Sequence, residues 1–98
     1  MLSIGKDLLF DLAMIYNLYA YLEAMVGREK AQTYLDMLAS RYRTTQVMHL
    51  VEAYWPIVKE ALPFITEAML VLAIAMKLGL VSPDDLKRMI LNVGREGS

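Results

Sequence analysis

LAMIYNLYAYL (residues 12–22) and AMLVLAIAM (residues 68–76) decide how this chain folds. The first is broken by one polar residue, Asn17, and the second by none. No run alternates with a period of two, and no Asn-Gly or Asp-Gly turn occurs, so strands have no support. Apolar residues recur at helical spacing instead. A helix without a polar face must be surrounded by its own domain, by a partner or by lipid. For a chain of 98 residues, area scaling gives about 5,700 Å² of folded surface and about 65% burial. Such a core surrounds about one helix of this kind, and the chain carries two. The surplus predicts self-association or another partner.

Composition narrows what that partner is. Hydrophobic residues make up 57% of the chain, about 56% on the counting for which ~45–50% is usual. Ten basic and eleven acidic residues are interspersed, with a net charge of −1. No basic arm or stripe exists to hold nucleic acid. Cysteine is absent, which excludes disulfides, thiolate metal sites and cysteine nucleophiles. Asp7 and Asp11 interrupt the apolar stretch after Lys6, so no signal peptide is read there. The best membrane windows are residues 61–81, with Pro63, Glu67, Lys77 and Gly79, and residues 8–26, with Asp11, Asn17 and Glu23. A charge at mid-membrane costs ~2.5–3.5 kcal/mol, which argues against spanning. The expected location is cytoplasmic.

Helical segments are expected over residues 6–26, 28–42, 45–62, 63–78 and 83–93. The first has a regular seam, Leu8, Leu12, Ile15, Tyr19, Leu22 and Val26, suited to shallow packing on a neighbour. A second seam, Asp7, Asp11, Met14, Leu18, Tyr21 and Met25, lies one residue over. A single partner helix leaves that seam uncovered. Residues 40–46 (SRYRTTQ) form the most polar stretch and predict a break, with Thr44 or Thr45 capping the next helix. Pro56 predicts a kink or short interruption at Trp55. If residues 56–78 keep helical phase, Lys59, Glu60, Thr66, Glu67 and Lys77 share one sector with Leu70, Ala73 and Ile74. Ser82-Pro83-Asp84-Asp85 opens the last helix with a cap, a first-position proline and two carboxylates. Gly94 is expected to stop it, with a frayed tail beyond.

His49 is the only histidine, and Glu52 lies three residues on. That pair is half a metal site, which a symmetric dimer could complete with Glu60 or Glu67; the default reading is an ordinary surface or core-edge histidine. Arg43 and His49 are separated by five residues, and Tyr54 follows. This resembles the arginine-x(4–6)-histidine signature of HEPN-type ribonucleases, small all-helical proteins that dimerise around that motif. The resemblance spans residues 43–54 and implies acid–base cleavage of RNA by Arg43 and His49. Thr44 stands where that family usually has Asn or Asp, and Tyr54 is farther from the histidine than usual. Ala75 and Gly79 echo a helix-turn-helix, but the second helix opens with Asp84 and Asp85, and its cations are Lys87 and Arg88. Eight methionines and six tyrosines fit core and interface packing. No phosphate loop, nucleophile elbow or zincin motif is present.

The reading is an all-α bundle of four to five helices, helices 1 and 4 central, completed as a two-fold homodimer. The expected interface joins Met14, Leu18 and Tyr21 of helix 1 with Leu70 and Ile74 of helix 4. The expected function is a non-enzymatic oligomerisation or scaffold module that needs no cofactor or metal. The alternatives are the Arg43/His49 ribonuclease, a DNA-binding regulator, and a filament or membrane-associated subunit.

Overall fold

Three hydroxyl side chains set where the later helices begin. Thr44 Oγ1 accepts the Val47 N–H at 3.3 Å, Thr66 Oγ1 the Met69 N–H at 3.3 Å, and Ser82 Oγ the Asp85 N–H at 3.0 Å. Each takes up one backbone donor that the first helical turn leaves without a partner. The computed structural model describes residues 5–97. They form α1 (Lys6–Val26), α2 (Arg28–Ser40), α3 (Thr45–Ala61), α4 (Glu67–Lys77) and α5 (Pro83–Gly97). The fold is an all-α bundle. Gly27, at φ +92°, turns α1 into α2 within one residue. Gly79, at φ +76°, closes α4: Leu80 N–H donates to Ala75 O and Gly79 N–H to Met76 O, a Schellman motif.

α4 is the central post. All nine residues from Ala68 to Met76 are buried, Leu70 and Ile74 at 0% exposure. α1, α2 and α3 surround it. α5 instead packs chiefly against α1, placing Leu86 and Ile90 in the core. The total accessible surface is 5,905 Å², close to the size-scaling value for a compact chain of this mass. The chain therefore surrounds one of its two apolar helices completely, and that helix is α4.

Several boundaries differ from the sequence reading, each for a local reason. α2 ends at Ser40, and the predicted break occupies residues 41–44 with Thr44 as the cap. α4 starts at Glu67, not near Pro63. Proline disfavours helical backbone at Leu62, which has φ −133° and ψ 73°, and Thr66 then caps a fresh start. Helical phase is thus reset between Lys59-Glu60 and Glu67, so these charges do not mark one solvent strip with Leu70 and Ile74 in it. α3 runs through Pro56 without interruption. Glu52 and Pro56 are both exposed, so water can take the carbonyl that the proline leaves without a donor. Pro56→Ala is expected to stabilise the fold by about 1–3 kcal/mol, read as a raised thermal midpoint; a lowered midpoint would show that α3 needs the proline.

α5 passes through Gly94 to Gly97; Ser98 lies outside the described residues. Gly94 is not a stop but a close approach. A Cβ at that position would lie 2.6 Å from Cε2 of Tyr21. The glycine lets α5 settle on the Tyr21 ring.

Candidate functional site

The five residues expected to form an interface do not share a surface. Leu18, Leu70 and Ile74 are buried within the chain, Met14 is half-buried, and Tyr21 lies under Gly94 of α5. The second seam of α1 is therefore partly covered from inside: Leu18 is buried and Asp11, Met14, Tyr21 and Met25 are half-buried, while Asp7 stays exposed. On that seam, partial burial and the neighbouring Asp7 raise the Asp11 carboxyl pKa, while Lys77 of α4 lowers it.

The side of α1 left open is a third one. Leu9, Ala13, Tyr16 and Ala20 are all exposed and recur at 4-3-4 spacing, so they form one outward stripe. Phe10 flanks it at 72% exposure and Leu9 stands at 47%. Ala24 lies beside its far end, and the polar residues flanking it are Lys6, Asn17 and Glu23. The 62–66 turn adds Phe64, whose ring meets Tyr16 edge-on at a centroid distance of 4.9 Å and an angle of 63°. Phe64 is 52% exposed. With aromatic side chains of about 150–250 Å² each, the face offers on the order of 500 Å² of apolar surface, toward the top of what monomers expose. The two seams expected on α1 do not include this stripe, whose only signal in the sequence is a third 4-3-4 series diluted by alanines.

The candidate chemical residues are placed differently. Arg43 sits in the 41–44 turn, where its guanidinium Nη1 lies 2.8 Å from Glu67 Oε1 and 3.5 Å from Met48 Sδ. This ion pair ties the turn to the start of α4. The arginine that RNA cleavage would need is thus held by a carboxylate, and the Glu67 suggested as a metal ligand is held by the same contact. His49 and Glu52 are exposed on α3. Among the described residues no three His, Cys, Asp or Glu side chains converge to hold a metal.

On α5, Arg88 pairs with Asp85 one turn earlier, so one of the two cations proposed to face DNA is already neutralised. Tyr34 donates to Met89 O at 3.4 Å, linking α2 to α5, and burial raises its hydroxyl pKa. An open groove of about 400 Å³ between Tyr42, Leu80 and Asn92 includes the Asp85–Arg88 pair in its wall. Among the described residues no helix is long and apolar enough to cross a membrane. The described residues form a small all-helical bundle with an apolar outer face on α1. No family model, curated protein or solved structure matches the chain.

Proposed function

We propose that this chain is a non-enzymatic helical interaction module of the cytoplasm that works by helix–helix packing and associates with itself. The outward face of α1 carries the reading. Among the described residues 26 hydrophobic side chains are buried, yet Leu9, Phe10, Tyr16 and Phe64 stay exposed beside two alanines of the same stripe. Scattered exposed apolar residues need no explanation, but a contiguous row along one helix marks a contact surface. Two such faces bury on the order of 1,000 Å², the lower bound for a specific interface and the size of a weak or transient one.

Sedimentation velocity between about 1 and 200 μM tests this. The expected result is a mass rising above 11.1 kDa with concentration, and its loss in Ala20→Glu with helicity unchanged. A mass that stays at one chain throughout would end the self-association reading.

A further inference from the structure

The outward face of α1 has a property that selects its occupant. Its stripe reads large, small, large, small: Leu9, Ala13, Tyr16, Ala20. The 4-3-4 spacing is the same in either direction, so a reversed copy presents small, large, small, large in matching register. We propose that the face docks against the same face of a second copy, with the two α1 helices antiparallel and the two-fold axis crossing between Met14 and Ile15. This deepens the self-association reading and rests on it.

In that arrangement Leu9 lies over Ala20 of the second copy, and Ala13 lies over Tyr16. Each large side chain enters the space above an alanine, the condition for close helix packing. The flanks agree. In an antiparallel pair like flanks meet, so Phe10 falls near Asn17 of the other chain and Lys6 near Ala24. The opposite flank brings the two Tyr16–Phe64 ring pairs together at the axis. A parallel pair sets Leu9 against Leu9 and Ala13 against Ala13, which clashes at one level and leaves a gap at the next. No charged group on the stripe itself opposes contact.

The lack of cysteine makes the test clean. Ala13→Cys and Ala24→Cys are both exposed positions on the same side of α1. At 1.5 Å rise per residue, an antiparallel pair about this axis offsets the two copies of position 13 by about 4.5 Å along the helix, and the two copies of position 24 by about 28 Å. Under mild oxidation at 100 μM, taken as roughly the upper part of the association range, Ala13→Cys is expected to form a disulfide-linked dimer at least tenfold faster than Ala24→Cys. Comparable cross-linking at both positions means parallel docking and overturns the inference. Cross-linking at neither, with a dimer mass in sedimentation, places the contact elsewhere: the inference falls and the self-association reading stands. A single-chain mass at every concentration removes both.

Discussion

Shortening Leu70 or Ile74 to alanine is expected to lower the stability of the fold by about 2–5 kcal/mol each, out of a total that is ~5–15 kcal/mol for small domains. Both side chains are at 0% exposure in a helix buried on every side by α1, α2 and α3. The lost methyl and methylene groups leave a cavity whose walls are themselves helices with no room to collapse. The same two residues distinguish a core role from an interface role. A core residue lowers stability relative to wild type by the same amount at any concentration. An interface residue lowers it only where the assembled form is populated. Denaturant unfolding at 1 and 100 μM chains, roughly the range bracketing a micromolar affinity, is expected to give equal losses. A loss confined to the higher concentration would return Leu70 and Ile74 to an interface.

Gly94→Leu is expected to destabilise by about 2–3 kcal/mol, since overpacking forces side chains and backbone to shift. The cause is the 2.6 Å separation that a Cβ would have from the Tyr21 ring. Gly94→Ala is the finer probe. Alanine improves helix propensity by about 1 kcal/mol, so the clash and the propensity oppose each other and the clash prevails. In a Tyr21→Ala background the obstacle is gone, and Gly94→Ala is expected to become stabilising by about 0.5–1 kcal/mol. A double-mutant cycle reads this change of sign directly. Additive effects would mean that α5 does not rest on Tyr21.

Local signals were well encoded in this chain. Gly27 ends a helix through its positive φ, Thr44 and Ser82 start helices through their hydroxyls, and each stands where the sequence places it. Of the seam Leu8, Leu12, Ile15, Tyr19, Leu22 and Val26, the first five are buried as the spacing implies and Val26 is half-buried. What depended on distant packing was less legible. Leu70 and Ile74 were assigned to a solvent strip by extending helical phase across Pro63, and the turn at 62–66 breaks that phase. Gly94 carries the same one-letter signal as a helix stop, and only the ring of Tyr21, far away in sequence, explains its presence inside α5. Met14, Leu18 and Tyr21 looked uncovered because the docking side of α5 on α1 is not written in either helix alone. With that side taken, the surplus apolar surface of α1 moves to Leu9, Tyr16 and the alanines between and beyond them.

One chain surrounds α4, and the place proposed for a second copy is the outward face of α1. A dilution series of isotope-labelled protein, followed by amide resonances, reads that division residue by residue. Shifts that depend on concentration are expected at Leu9, Ala13, Tyr16, Ala20 and Phe64, with the amides of α4 unmoved. Shifts centred on α3 or the outer side of α5, or none up to about 1 mM, where even a complex with a Kd of ~1 mM is populated, would mean that this face of α1 is not the contact.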